Sequence, residues 1–312
     1  MISRRDIAAT HAAILPHIRR TPVLTAVVED IQRTATFKLE TLQHTGSFKA
    51  RGAFANLAGA AIPEAGVVAA SGGNHGAAVA FAAKTLAHRA RIFVPAASPP
   101  AKVARIRSYG AEVVQEGASY AEALARSADY AAATGALAIH AYDVPLTVRG
   151  QGTIAREFEE QASDLDTVLV AVGGGGLIAG VATWYAGRTK IIGVEPATCA
   201  TLERALAAGA PVDILPSGLA VDSLGASRIG DIAFAVARAH VERVVLVGDA
   251  DIRAAQTWLW QRLRLLTEPG GAAAFAALLC GAYRPPADAR VGVILCGANV
   301  DPASFGSPLA RS

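Results

Sequence analysis

Thr45-Gly46-Ser47-Phe48-Lys49-Ala50-Arg51-Gly52 follows a predicted strand at residues 36–40 and precedes a helix-forming run that begins at Ala53. A lysine at the start of a helix lies at the positive end of the helix dipole, which disfavours the protonated ammonium group. A neutral lysine amine is the form that condenses with an aldehyde to give a Schiff base. Taken alone, however, the segment favours a surface lysine on an amphipathic helix, so the rest of the chain has to decide.

The composition indicates a folded protein with two lobes. The chain has 312 residues, of which 52% are hydrophobic and 18% are charged. A chain of this length exceeds what a single core fills comfortably, so we expect two lobes. The net charge of +3 comes without a basic cluster, which argues against nucleic acid as a partner.

Cysteine content and apolar segments predict a soluble cytoplasmic protein. Cys199, Cys280 and Cys296 have no paired spacing, as expected in a reducing compartment. The N-terminus carries no apolar region of the signal-peptide type. The most apolar runs, at residues 77–83 and 272–280, are too short to cross a bilayer, so we expect no membrane partner.

Strands and helices alternate along most of the chain, which predicts an α/β fold with parallel sheets. Complete strand–helix units between residues 66 and 143 predict a small lobe inserted into a larger one, which then consists of residues 1–65 and 144–312. Each lobe is expected to hold a mostly parallel, twisted sheet flanked by helices. The predicted strands lie at residues 36–40, 67–70, 91–95, 112–115, 137–141, 167–172, 191–195, 244–247 and 291–296.

Gly173-Gly174-Gly175-Gly176-Leu177 connects a predicted buried strand to a helix. Consecutive glycines allow backbone N–H groups to converge on an anion, and the start of the next helix adds its dipole. We interpret the segment as a phosphate-binding loop, because a simple tight turn needs fewer glycines. Gly174-x-Gly176-x-x-Ala179 also fits a dinucleotide fingerprint, with Glu195 as a candidate ribose ligand, so an NAD-dependent oxidoreductase is an alternative.

Ser71-Gly72-Gly73-Asn74-His75-Gly76 also lies between a predicted strand and a helix. Its N–H groups and small side chains at a helix start suit a carboxylate. Asn74 either contacts a ring hydroxyl or caps its own helix, which is the commoner role for asparagine. His75 is more typical of a structural hydrogen-bonding residue than of a general base.

Two further segments complete the candidate site. Cys296-Gly297-Ala298-Asn299-Val300-Asp301 follows the last predicted strand, and Glu268 lies just before a helix. A cysteine in such a place is most often a small buried apolar residue, and an acid at a helix start most often complements the dipole. Because ligands in open α/β sheets bind beyond the carboxyl ends of the strands, we expect all these segments at one site.

Together these segments resemble the fold-type II pyridoxal-phosphate enzymes, whose fold is that of the tryptophan synthase β-subunit. Within them the chain is most similar to the serine/threonine dehydratase family, which also includes serine racemase and threo-3-hydroxyaspartate dehydratase. The similar segments occur in the family's order, at residues 45–52, 71–76, 150–153, 173–177, 268–269 and 296–301.

The resemblance implies pyridoxal 5'-phosphate as the cofactor. By that resemblance, Lys49 carries the cofactor as a Schiff base and acts as the catalytic base, and Phe48 packs on the ring. Asn74 contacts the ring 3-hydroxyl, and Cys296 faces the pyridine nitrogen. Other residues hold the phosphate (Gly173, Gly174, Gly175, Gly176, Leu177), contribute to cofactor binding (Glu268) or surround the substrate carboxylate (Ser71, Gly73, Asn74, His75).

The same resemblance implies a dehydratase, or ammonia-lyase, that converts a 3-hydroxy amino acid to a 2-oxo acid and ammonia by β-elimination. L-threonine and L-serine are the expected substrates. A thiol is a weak partner for the ring nitrogen, which favours elimination over transamination. Racemases of the group carry a serine where this chain has Gly72, which disfavours racemisation.

Other departures from the family bear on substrate, metal and regulation. Val221-Asp222-Ser223 stands where many relatives read Ala-Asp-Gly, so 3-hydroxyaspartate or another 3-hydroxy amino acid is an alternative substrate. Some members of the family bind a divalent cation with an acid at the position of Glu195 and a second acid some residues later. Here no acid follows Glu195 until Glu203, so no metal site is assigned. The resemblance implies a homodimer and, because the chain ends at Ser312 without a regulatory domain, the short catabolic type. A serine racemase, a β-replacement synthase and a non-catalytic binding protein are further alternatives.

Overall fold

The computed structural model describes residues 2–301. Met1 and residues 302–312, which belong to the predicted larger lobe, lie outside the described residues. The strands are β1 (Val23–Val28), β2 (Arg33–Leu39), β3 (Val67–Ala70), β4 (Ala90–Val94), β5 (Glu112–Gln115), β6 (Leu137–Ala138), β7 (Thr167–Ala171), β8 (Lys190–Pro196), β9 (Arg243–Val247) and β10 (Val291–Leu295). The helices are α1 (Arg4–Ile14), α2 (Lys49–Leu57), α3 (Asn74–Thr85), α4 (Pro100–Ser108), α5 (Tyr120–Thr134), α6 (Pro145–Gln161), α7 (Gly176–Tyr185), α8 (Thr201–Ala208), α9 (Val221–Leu224), α10 (Asp231–His240), α11 (Asp249–Leu263) and α12 (Pro269–Leu279).

Two sheets organise the fold. The larger sheet has six strands in the order β1-β2-β10-β7-β8-β9, and the smaller has four in the order β5-β4-β3-β6. Among the described strands, β1 and β2 pair antiparallel and every other pair is parallel. The predicted α/β class is therefore confirmed. Strand β1 and helix α10 were not predicted, although β1 is rich in valine and α10 carries an amphipathic pattern.

The smaller sheet uses strands from within the predicted inserted lobe, residues 66–143. Its apolar core also contains side chains from outside that range, since Ile14, Phe54 and Leu57 belong to the same buried cluster. Helix α2, which begins at Lys49, therefore packs against the smaller lobe although it precedes it in sequence. The boundaries at residues 66 and 143 stay a prediction.

Helix α6 begins at Pro145, well before the helix predicted around residues 154–161. Gly150 and Gly152 caused the difference, because glycine disfavours a helix interior. A Cβ atom on Gly150 would lie 2.6 Å from the carbonyl oxygen of Arg51, and one on Gly152 would lie 2.9 Å from that of Gly180. The two glycines therefore let α6 pack closely against α2 and α7, and this packing outweighs their poor helix propensity.

A cluster of buried charges lies directly behind Lys49. The guanidinium group of Arg51, which is fully buried, donates to both carboxylate oxygens of Glu40 and to both of Glu157, each at 2.8 Å. Lys38 Nζ also donates to Glu157 at 2.8 Å. Two cations thus face two carboxylates, and these charge-assisted bonds connect α2 to the end of β2 and to α6.

We expect Glu157→Gln to lower the free energy of unfolding by about 3 kcal/mol or more, because it leaves two buried cations with one carboxylate. Urea unfolding measures the change. Glu160→Gln on the same helix is the matched control, since Glu160 is exposed and forms a surface pair with Arg156. That control should lose less than about 1 kcal/mol. Equal losses in the two variants would contradict the role given to the buried cluster.

Candidate active site

One cavity of about 580 Å³ opens between the two sheets. Every residue to which the family resemblance gives a role in cofactor or substrate binding lines it: Phe48, Lys49, Ser71, Gly73, Asn74, His75, Gly173, Gly174, Gly175, Gly176, Leu177, Glu268 and Cys296. Segments that are distant in sequence therefore meet at one place, as expected for the carboxyl ends of parallel strands.

Lys49 is the first residue of α2, and its side chain reaches into the cavity. Its Nζ atom donates to the carbonyl oxygen of Ala141 at 2.8 Å and lies 5.2 Å from the centre of the Phe48 ring. Burial lowers the pKa of the Lys49 amine to about 8, although Cys296 and Glu268 act in the opposite direction. The direction agrees with the expectation from the sequence, and burial is its main cause.

The glycine loop leads into α7 and faces Tyr142. Gly175 has a φ of +89°, a left-handed conformation that favours glycine. A Cβ atom on Gly174 would lie 2.3 Å from the Tyr142 ring. Within residues 2–301, no protein acceptor bonds the backbone N–H groups of residues 173–177. These free donors at a helix start fit the phosphate group of the expected cofactor.

Cys296 follows β10 and is 4% exposed. Its thiol donates to the carbonyl oxygen of Gly270, and burial raises the pKa of the thiol well above its ordinary range. The backbone N–H of Phe48 donates to the carbonyl oxygen of Cys296, which joins the lysine segment to the end of β10. Cys296 is therefore a neutral thiol at the floor of the cavity, as its predicted role beside a ring nitrogen requires.

Asn74 is the first residue of α3, but Gly73 occupies the capping position. The Asn74 side chain donates to Glu268 at 2.6 Å, so the alternative that it only caps its helix is wrong. His75 Nε2 donates to the carbonyl oxygen of Ile139 at 2.9 Å. Burial lowers the pKa of His75 to about 3, so the imidazole is neutral and serves as a structural hydrogen-bonding group.

Among the lining residues that were not predicted are Lys102, Tyr120 and Tyr142. Lys102 Nζ lies 2.9 Å from a carboxylate oxygen of Asp222, which joins α4 to α9 at the edge of the cavity. Tyr142 comes shortly after β6, and its position beyond a strand end was the one available signal. Lys102 and Tyr120 stand at ordinary helix starts and carry no local pattern that marks a site.

Glu195 is fully buried away from the cavity. Its carboxylate accepts hydrogen bonds from the Thr201 hydroxyl and from the backbone N–H groups of Leu202 and Glu203. It therefore stabilises the start of α8 and is not free to bind a ribose, as the dinucleotide alternative requires. Within the described residues, no group of three His, Cys, Asp or Glu side chains could hold a metal ion.

Comparison with known proteins supplies the family. A profile described as pyridoxal-phosphate dependent enzyme matches residues 14–297. The chain belongs to this family. A phenylserine dehydratase from Ralstonia pickettii is 39% identical over 97% of this chain and 95% of its own length. The structure of maize serine racemase superposes with a TM-score of 0.92 at 32% identity and covers 98% of this chain and 96% of that one.

A biosynthetic L-threonine dehydratase from Pasteurella multocida is 41% identical over 77% of this chain, and the match spans 48% of that protein. The predicted fold-type II family and its cofactor, pyridoxal 5'-phosphate, are thus confirmed. The relatives are named for both dehydration and racemisation, so the reaction has to follow from the site itself. No helix among residues 2–301 is long and apolar enough to cross a membrane.

The pKa of Lys49 predicts how fast the cofactor-free protein takes up pyridoxal 5'-phosphate. Only the neutral amine attacks the aldehyde, and burial places its pKa at about 8. The rate should therefore rise about tenfold per pH unit below that value and level off above it. Stopped-flow absorbance measures the rate, with Lys49→Ala as the control that forms no Schiff base. A rate that stays constant across this range would contradict the assignment.

Gly174→Ala should weaken binding of pyridoxal 5'-phosphate at least about tenfold, because the added methyl group overlaps the Tyr142 ring and displaces the loop or the ring. Equilibrium dialysis measures the affinity. Gly248→Ala makes the same change outside the cavity, at a glycine with an ordinary φ of −84°, and serves as the control. Unchanged affinity in Gly174→Ala would show that the close contact with Tyr142 is not needed for the loop.

Proposed function

We propose that this enzyme is a dehydratase that eliminates water from a neutral 3-hydroxy L-amino acid and releases a 2-oxo acid and ammonia. The observation that carries the proposal is the asymmetry of the cavity. The buried amine of Lys49 faces it as a base, whereas Gly72, at the position where racemases of the group carry a serine, has no side chain that could return a proton.

The bound cofactor supplies an electron sink that acidifies the α-proton of an amino acid. In our proposal, Lys49 removes that proton as a neutral amine, and its lowered pKa keeps this form available near neutral pH. Phe48 would pack beside the cofactor ring, and the N–H groups of residues 173–177 would hold the phosphate. Cys296 stays a neutral thiol and does not protonate the ring nitrogen, which favours rapid loss of the 3-hydroxyl group.

The start of α3 is the proposed site of the substrate carboxylate. Ser71, Gly73, Asn74 and His75 all line this part of the cavity, and the helix start contributes N–H donors and its dipole. A substrate with a second carboxylate would need a further cation. Among the lining residues that the structure describes, Lys102 is the remaining candidate, and it is paired with Asp222. Neutral substrates such as L-threonine and L-serine are therefore favoured over 3-hydroxyaspartate.

A second candidate substrate is 3-phenylserine. A relative that this chain matches over 97% of its length is named phenylserine dehydratase. The rim of the cavity carries Tyr120 and Val221, which are 48% and 40% exposed, together with Pro95 and Pro99. This apolar rim suits an aromatic ring attached to Cβ of the substrate.

A substrate panel tests the proposal. Serine, threonine, 3-hydroxyaspartate and 3-phenylserine, each as separate stereoisomers, are assayed for 2-oxo acid, for ammonia and for inversion at Cα. We expect 2-oxo acid and ammonia in equal amounts from L-serine, L-threonine or L-3-phenylserine. Borohydride reduction followed by peptide mass spectrometry should locate the cofactor on Lys49. Inversion at Cα without ammonia release would establish a racemase instead.

We further propose that the enzyme is a cytoplasmic homodimer with residues 66–143 as its inserted lobe, as the family resemblance implies. Light scattering during gel filtration measures the mass in solution. A monomeric mass at micromolar concentration would contradict the dimer and would leave the proposed reaction unaffected.

A further inference from the structure

Asn74, Glu268 and Asn299 form a chain of hydrogen bonds at the edge of the cavity. Asn74 Nδ2 donates to Glu268 Oε1 at 2.6 Å. Asn299 Nδ2 donates to Asn74 Oδ1 and, at 2.9 Å, to the backbone carbonyl oxygen of Thr45. These side chains come from α3, from the residue before α12 and from the segment after β10, so the bonds join three parts of the chain that are far apart in sequence.

The carbonyl oxygen of Thr45 determines which group donates in each of these hydrogen bonds. A backbone carbonyl can only accept, so the Asn299 group that faces it must be the NH2 group. The same NH2 group contacts Asn74, which therefore turns its oxygen toward Asn299 and its own NH2 group toward Glu268. One N–H of Asn74 is used by Glu268, and the other is left for a ligand in the cavity.

We propose that Glu268 and Asn299 are positioning residues that hold Asn74 as a hydrogen-bond donor toward the ring oxygen of the cofactor. The proposal rests on the cofactor orientation proposed above. A fixed donor requires the ring oxygen to accept, which favours its deprotonated form. With the cofactor bound, the proton displaced from the ring oxygen would reside on the nitrogen that joins Lys49 to the cofactor, which would ready that bond for attack by an incoming amine.

Close packing around the two positioning residues supports this role. A Cβ atom on Gly297 would lie 1.9 Å from Glu268 Oε1, and one on Gly46 would lie 2.5 Å from Asn299 Oδ1. Glycine at both positions thus leaves the space that the two side chains occupy. Burial raises the pKa of Glu268 to about 7, yet its oxygen toward Asn74 accepts in either protonation state. The orientation of Asn74 should therefore not change with pH near neutrality.

Asn299→Asp tests the proposal, because its ionised carboxylate has nearly the shape of asparagine but can only accept. Asn74 must then turn its NH2 group toward residue 299 and present its oxygen to the cofactor ring. We expect the visible absorption band of the protein-bound cofactor to give way to the near-ultraviolet band of the neutral form. We also expect affinity for pyridoxal 5'-phosphate to fall at least about tenfold.

A second pair of variants separates positioning from a purely structural role. Glu268→Ala removes the acceptor and should shift the absorption band in the same direction, whereas Glu268→Gln retains an acceptor oxygen and should restore the wild-type spectrum. Thermal unfolding of each variant without cofactor checks that it folds. If Asn299→Asp does not fold, the comparison of the two Glu268 variants decides.

Wild-type spectra and wild-type cofactor affinity in both Asn299→Asp and Glu268→Ala would overturn the positioning role and leave the proposed dehydratase reaction intact. Identical spectra for Glu268→Ala and Glu268→Gln would also overturn it. Failure of the proposed reaction would instead be seen in the substrate panel with the wild-type enzyme, whose absorption spectrum does not depend on turnover.

Discussion

The contacts of Arg51 with Glu40 and Glu157 are the constraint on which the position of Lys49 depends. Arg51 lies two residues after Lys49 on α2 and is fully buried. A shift of α2 that moved Lys49 would also break charge-assisted bonds in the buried interior, where an unpaired charge is costly. Lys49 therefore lies at the start of a helix that is held firmly in place, and the glycines of α6 allow α6 to pack closely against that helix.

Burial is the common cause of the protonation states around the cavity. It lowers the pKa of Lys49 and of His75, and it raises the pKa of Cys296 and of Glu268. Each shift favours the uncharged form, so the cavity presents few formal charges of its own. In our proposal, backbone N–H groups at the starts of α7 and α3 meet the negative charge of the phosphate and of the substrate carboxylate, and these groups do not titrate.

Short glycine-containing segments allowed most of the fold and the site to be predicted. Gly173 to Gly176 and the lysine segment have local physical signatures, because an anion-binding loop and a helix start each depend on neighbouring residues. The α/β class was predicted from the alternation of strands and helices, which is also visible in local sequence patterns. The errors arose where tertiary contacts outweigh local preference, as in α6, whose Gly150 is favourable only because α2 lies against it.

The sequence by itself determined the fold class, the family, the cofactor and many of the residues that line the cavity, because these depend on local patterns and on motifs in a characteristic order. Only the tertiary structure decided which groups those residues face. Asn74 lies 194 residues from Glu268 and 225 from Asn299, and no local pattern predicts that the three share hydrogen bonds. The lysine segment shows the same division: its sequence placed Lys49 at a helix start, whereas burial in the assembled cavity brings the pKa of its amine to about 8.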